Sequence, residues 1–255
     1  MESVIYNDNC FNKFASIADK SVQLVVVDLP YEQTSLKWDT CIDLNKMWIE
    51  LKRILKPNGQ VLFFCTTKFG YKLIASNEKW FRSDIVWDKV KGSSFLLAKK
   101  CLMKSHEMIY LFHNPTKPKN MNWIYNPQMV EGKPYSKGTM VNSKVHNIIS
   151  NEFVQFKNDG VRYPKSIYTH HNIIKGEHST QKPVALCEWL IKTYSNEGDV
   201  VMDFTMGSGS TIIACINTNR KYIGIEKDND IFLTAEKRIQ ERNDLIKTNK
   251  DLVIN

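Results

Sequence analysis

Asp28-Leu29-Pro30-Tyr31 sets an acid, a proline turn and an aromatic ring within four residues. Such a set can hold a flat nucleobase by its amino group. The carboxylate accepts one hydrogen of an exocyclic amino group, a main-chain carbonyl in the turn accepts the other, and the ring stacks on the base. The same residues also end strands for turn reasons alone, because proline presets φ and aspartate hydrogen-bonds its own backbone. Both readings stand at this point. A second group is Asp203-Phe204-Thr205-Met206-Gly207-Ser208-Gly209-Ser210-Thr211. Gly207 and Gly209 permit a sharp turn and a close approach of ligand to backbone. Glu226 follows Asp203 by 23 residues, near the ~20-residue spacing at which nucleotide-type folds present an acid to ribose hydroxyls. There is no third glycine at the dinucleotide spacing and no Gly-Lys-Ser/Thr, which disfavours a pyrophosphate-bearing ligand. An adenosine-bearing cofactor without a pyrophosphate fits better; a glycine pair in a ligand-free loop is the alternative.

These groups need a scaffold. Val22-Gln23-Leu24-Val25-Val26-Val27 runs into Asp28 as a buried parallel strand. Apolar residues at Leu44, Met47, Trp48, Leu51, Ile54 and Leu55 have helical spacing, and Pro57-Asn58-Gly59 ends it. Gln60–Cys65 is the next strand, so the order is βαβ and the sheet parallel. Ser83–Trp87 and Met108–Phe112 are further strands. Between Asn114 and Lys175 periodicity fades. It resumes with a helix over Ala185–Tyr194, a strand over Asp199–Asp203, a helix over Ser210–Ile216, a strand over Lys221–Glu226 and a helix over Ile231–Ile239. The 255 residues allow one to two domains.

The charge is segregated. Of the formal +8, all lies in residues 91–177, which hold thirteen Lys/Arg against five Asp/Glu. Bases interleaved with aromatics and Asn suit a polyanion, and a solvated basic insertion is the alternative. His106-Glu107 has no second histidine at helical spacing, so it is read as structural, and His170-His171 as surface or phosphate contacts. Cys10, Cys41, Cys65, Cys101, Cys187 and Cys215 are scattered singly, which suits buried reduced thiols in a cytoplasmic protein and no metal. No apolar run approaches the ~20 residues of a membrane span, and the N-terminus has no secretory pattern.

Several segments together resemble one family, the amino-group (N6-adenine/N4-cytosine) DNA methyltransferases. Asp28-Leu29-Pro30-Tyr31 resembles their Asp-Pro-Pro-Tyr turn, His178-Ser179-Thr180-Gln181-Lys182-Pro183 their His-Pro-Thr-Gln-Lys-Pro element, and Asp203–Thr211 their cofactor loop. Tyr222-Ile223-Gly224-Ile225-Glu226 resembles their ribose-binding strand. Trp38-Asp39, Leu55-Lys56-Pro57-Asn58-Gly59, Trp87-Asp88-Lys89 and Ser105-His106-Glu107 are lesser matches. The order, catalytic turn first and cofactor loop last, is that of the permuted β group. Leu29 departs from the first proline of the turn, Ser179 from a proline, and Phe204-Thr205 from Pro-Phe.

The resemblance implies an α/β, Rossmann-like S-adenosylmethionine-dependent methyltransferase fold, with a mostly parallel seven-stranded sheet in permuted order and a basic target-recognition insertion. It implies a catalytic core of residues 1–90 and 178–255, with 91–177 reading DNA. It implies methyl transfer from S-adenosyl-L-methionine to the exocyclic N6 of adenine in DNA after base flipping. Asp28, Leu29, Pro30 and Tyr31 would form the catalytic turn. Asp203, Phe204, Gly207, Ser208, Gly209, Ser210 and Glu226 would hold the cofactor, with Thr180, Gln181 and Lys182 near its methionine end. A cytosine-N4 target, an RNA target and a catalytically impaired DNA-binding relative are the alternatives. The resemblance also leaves room for a homodimer and for a cognate restriction endonuclease.

Overall fold

The computed structural model describes residues 2–31, 42–93, 95–115, 123–143, 148–171 and 181–254. The elements in chain order are β1 (Val4–Asn7), α1 (Cys10–Phe14), β2 (Val22–Asp28), α2 (Leu44–Ile54), β3 (Leu55–Cys65), α3 (Thr67–Ser76), β4 (Phe81–Ser93) and β5 (Lys104–His113). Then come β6 (Val130–Glu131), β7 (Tyr135–Ser143), β8 (Ile148–Asn158), β9 (Val161–Arg162) and β10 (Ile167–Thr169). The chain closes with α4 (Val184–Tyr194), β11 (Val200–Asp203), α5 (Ser210–Asn217), β12 (Lys221–Glu226) and α6 (Asn229–Ile254).

The chain divides into two compact units, residues 1–126 with 166–255, and residues 127–165. The larger unit is built on an eight-stranded sheet in the order β1-β12-β11-β2-β3-β5-β4-β10. Only β5 runs antiparallel to its neighbours. The expected sheet is therefore present with one strand more than the seven foreseen. The addition is the short β10, which pairs in parallel with β4 through Ile167↔Val86 and Thr169↔Asp88.

The strand alternation divides the core into two layers. Val25 and Val27 of β2 join Phe14, Met47, Leu51 and Phe69 on one face, under α1, α2 and α3. Leu24 and Val26 join Leu186, Leu190, Ile191 and Ala214 on the other, under α4 and α5. Both faces of β2 are thus covered, which is why its sequence is continuously apolar. Asp43 caps α2 by accepting from the N–H groups of Asn45 and Lys46 at 3.0 and 3.1 Å. The helix stops at Ile54, three residues before Pro57, because a residue preceding proline is biased to extended backbone. Leu55, read as the last helical contact, therefore opens β3 instead.

Two further expectations change. Helix α6 continues well beyond Ile239, although the apolar stripe ends there. Its polar second half is laced by close pairs such as Gln240–Asp244 at 3.0 Å and Lys237–Glu241 at 4.0 Å. The stretch read as irregular contains the whole of the smaller unit, which is β-ribbon: β6 pairs with β9 and β7 with β8, both antiparallel. A two-stranded ribbon has no second layer of its own that must be apolar, so no alternation marks it; Tyr135 and Phe156 are half exposed. This unit is narrower than the segment 91–177, since β5 and β10 belong to the central sheet. Cys10, Cys65, Cys187 and Cys215 are buried, but Cys101 is exposed, contrary to expectation; Cys41 lies outside the described residues. No described helix is long and apolar enough to cross a membrane.

Candidate active site

Strands β2 and β11 lie side by side, with Val25 opposite Met202. After β2 the chain goes to the α2 face, and after β11 to the α5 face, so the crevice between their C-terminal ends is a topological switch point. Asp28 and Asp203 close these two strands. The two turns touch: the Thr205 hydroxyl donates to the main-chain carbonyl of Asp28 at 2.9 Å.

Around Asp28 the geometry is dense. The Tyr31 hydroxyl bonds one carboxylate oxygen and lies 2.8 Å from the Phe64 carbonyl. Lys182 donates to the other oxygen. Lys182 also faces Glu107 at 3.5 Å, and Lys89 donates to Glu107 at 3.0 Å. Two acids and two bases thus alternate in one partly buried row. Burial pushes the Asp28 carboxyl above its ordinary value, opposed by Lys182 and by the Tyr31 hydroxyl. Burial works against the Lys182 ammonium, but the Asp28 and Glu107 carboxylates outweigh it and raise its pKa. Burial also works against ionised Glu107, and there Lys182 and Lys89 win, holding it below the usual range. The Leu29 side chain is buried in the core, 2% exposed. It packs in the core layer under α1, α2 and α3. The Tyr31 ring leans on Phe69 at 5.1 Å between centroids.

The second turn is shaped by its glycines. Gly207 and Gly209 have φ of 51° and 81°, the left-handed region that favours glycine. A side chain on Gly209 would press on Ala235 at 3.2 Å, whereas Gly207 faces open space. Glu226 holds the turn from β12: one of its carboxylate oxygens accepts from Gly207 N–H at 3.0 Å, the other from Asp228 N–H at 2.9 Å. Asp203 accepts from Thr205 N–H at 3.1 Å and bonds Thr211. Burial pushes Asp203 up to about 7, these bonds offset only part of the rise, and Asp28 and Glu226 nearby add to it.

The expected residues therefore divide. Asp28, Leu29, Pro30 and Tyr31 form one turn, and Lys182, expected beside the cofactor, meets its carboxylate. Asp203, Gly207 and Glu226 form the second turn. Ser208 is taken by Arg238, which donates to its Oγ at 2.9 Å. The Phe204 ring is in the core, 5.3 Å from Phe14, so the one-position shift of this ring has carried it away from the crevice. Thr180, with His178 and Ser179, lies outside the described residues, as do Trp38 and Asp39. Glu107, Lys89 and Thr205 carry no site role in the sequence reading, although each lies in a segment that it names. For the first two the available signal is the lesser motif matches Trp87-Asp88-Lys89 and Ser105-His106-Glu107; the β4–β5 register then sets Trp87 opposite Glu107, with Lys89 on the same face. His106 is exposed, and no metal-binding cluster occurs among the described residues.

Unmet polar groups test the cofactor expectation. Ser210 Oγ and Gln181 Oε1 are buried without a hydrogen-bond partner among the described residues, and buried polar atoms normally have one. Together with the open space at Gly207 and the buried Asp203, they suit a ligand that carries hydrogen-bonding groups and a positive charge. S-adenosylmethionine has both.

Comparison with known proteins agrees. A sequence model of the DNA methylase family matches residues 22–237. The chain is 29% identical over 243 residues to Type II methyltransferase M1.MboII of Moraxella bovis, covering 87% of this chain and 90% of that one. It is 28% identical over 258 residues to DNA adenine methyltransferase YhdJ of Escherichia coli (strain K12), covering 93% and 82%. Its fold is similar to the crystal structure of the M1.HpyAVI–SAM complex, with a TM-score of 0.60 at 24% identity, covering 92% and 98%.

Proposed function

The chain belongs to the DNA methylase family, and from that premise we propose that it methylates the N6 amino group of adenine within a specific DNA sequence. It is an S-adenosylmethionine-dependent DNA methyltransferase. The observation that carries the reading is the Thr205–Asp28 hydrogen bond, which locks the cofactor turn against the catalytic turn at one sheet edge.

When bound, S-adenosylmethionine supplies an electrophilic methyl group. Asp203, Gly207, Ser210, Gln181 and Glu226 are the residues in place to hold it. Glu226 retains accepting capacity for ribose hydroxyls, since its two N–H bonds fill about half of a carboxylate's sites. Asp28 accepts one hydrogen of the target amino group, and the Leu29 carbonyl the other. This aims the nitrogen lone pair, which ring conjugation otherwise withholds. Tyr31 and Lys182 already orient the Asp28 carboxylate, so the substrate meets a preset acceptor. A hydrogen bond to this charged group contributes about 1.5–3 kcal/mol. Extruding the base costs a few kcal/mol, and stacking on Tyr31, about 1–3 kcal/mol, offsets much of it. The basic unit of residues 127–165 supplies contacts to DNA phosphates and base edges.

The likeness to type II methyltransferases supports a role beside a cognate restriction endonuclease in the cytoplasm; a homodimer is the partner state to test by sedimentation. The deciding experiment for the chemistry is transfer of labelled methyl to unmethylated genomic DNA, with Asp28→Ala alongside. Label in N6-methyldeoxyadenosine that vanishes in the variant supports the reading. Label in N4-methyldeoxycytidine overturns the base assignment. Label in RNA alone, or none with cofactor still bound, overturns the DNA reaction.

A further inference from the structure

The β4–β5 hairpin reaches past its neighbour β3. Strand β3 ends at Cys65, opposite Met108, while β5 begins at Lys104. The overhang of four residues beyond β3 is about 14 Å at ~3.4 Å per residue. It leaves the same edge as the catalytic turn, since Asp28 pairs with Phe64 and Phe64 with Ile109. The stem is tied to that turn by the row Lys89–Glu107–Lys182–Asp28. Its arms close tightly beneath the tip, where a side chain on Gly92 would stand 2.8 Å from Met103. Val90, at φ 65°, sits in the bulge that aims the hairpin.

The tip itself is apolar and uncovered: Leu96 is 96% exposed, Leu102 95% and Phe95 77%. Such a cluster marks a contact surface. From Lys91 to Lys104 the segment carries four lysines and no acid. That charge fits phosphates and repels a second copy of the same tip. Apolar side chains flanked by bases are the means by which proteins part stacked base steps. We infer that the Phe95–Leu102 tip is a wedge that enters duplex DNA beside the extruded target base, with Lys91, Lys99, Lys100 and Lys104 on the adjoining phosphates. The inference rests on the DNA reading above.

The test pairs wild type with Leu96→Ser/Leu102→Ser. The recognition site is first located by sequencing wild-type-methylated genomic DNA. Synthetic duplexes then carry the target base either normally paired or opposite an abasic position, which removes the pairing that holds it in the stack. Expected is a loss of about tenfold or more in kcat/KM on the paired duplex, with recovery to within about twofold of wild type on the abasic one. Wild-type rates on the paired duplex, or an equal loss on both duplexes, would overturn the wedge. So would sedimentation showing a wild-type dimer that the variant dissociates, which would assign the tip to a second copy. Failure of wild type to methylate any DNA is a different result and removes the underlying reading. Thermal unfolding of the variant controls for folding, since both serines replace exposed side chains.

Discussion

The Thr205 hydroxyl donates to the Asp28 carbonyl across 177 residues of chain, at 2.9 Å. It joins the glycine turn after β11 to the Asp28 turn after β2, at a position where the family pattern has an aromatic ring. The same departure that sends Phe204 into the core places a hydroxyl where it fixes the catalytic turn.

Thr205→Val keeps the shape and removes that donor. Stability is expected to fall by about 1–2 kcal/mol, because the Asp28 carbonyl loses its partner. The methyl-transfer rate falls with it, and Thr205→Ser restores most of both. Urea unfolding and single-turnover kinetics read the two effects separately.

Asp203, if it faces the cofactor as proposed, is expected to make cofactor affinity depend on pH. Its pKa of about 7 without ligand means that it is largely protonated at pH 6 and ionised at pH 8. A positively charged ligand prefers the ionised form, so S-adenosylmethionine should bind about tenfold more weakly at pH 6 than at pH 8. Calorimetric titration measures this, and Asp203→Asn should flatten the dependence. A flat profile in wild type removes Asp203 from the site.

The same group affects folding with a defined sign. An acid whose folded pKa lies above its unfolded value binds more protons in the folded state, so stability falls as pH rises from about 4 to about 7. Relative to Asp203→Asn, wild type should lose stability across that window, by up to roughly 4 kcal/mol. Unfolding curves at pH 5 and pH 8 decide it.

Lys182→Met removes the cation between Asp28 and Glu107. Glu107, depressed in the folded protein, contributes stability above its ordinary range that disappears as pH falls through its folded value. Without Lys182, burial raises both carboxyls, so the loss begins at higher pH. The variant should be weaker by up to about 3 kcal/mol near neutrality, with the acid limb of its pH–rate profile moved upward. An unmoved limb would show that Lys182 does not set the charge of Asp28.

Gly207→Ala separates binding from folding. The position has a left-handed φ but open space around it. Stability should fall by only about 1–2 kcal/mol, while cofactor affinity falls further because the methyl occupies the approach to the turn. Equal, small effects on both would mean that no ligand lies over Gly207.

The turns and most of the elements were legible in the sequence because their causes are local. Continuous β-branched residues marked β2, the helical spacing from Leu44 marked α2, and the glycine pair marked the turn after β11. What escaped was long-range or unpatterned. The polar half of α6 buries little that would print a period on the sequence, and the pairing of β7 with β8 follows from no local pattern. The partners of Asp28 lie still further from local reach: Lys182 stands 154 residues away, and Glu107 arrives through the register of β5 on β3 and β4. By itself the sequence determined which residues are able to do such chemistry, since a carboxylate, a glycine turn and a stacking ring keep their capacities in any fold. Only tertiary structure decided which charge faces Asp28, which serine is left unpaired and which hairpin overhangs the edge, because those depend on strand order and register, set by burial across the whole sheet.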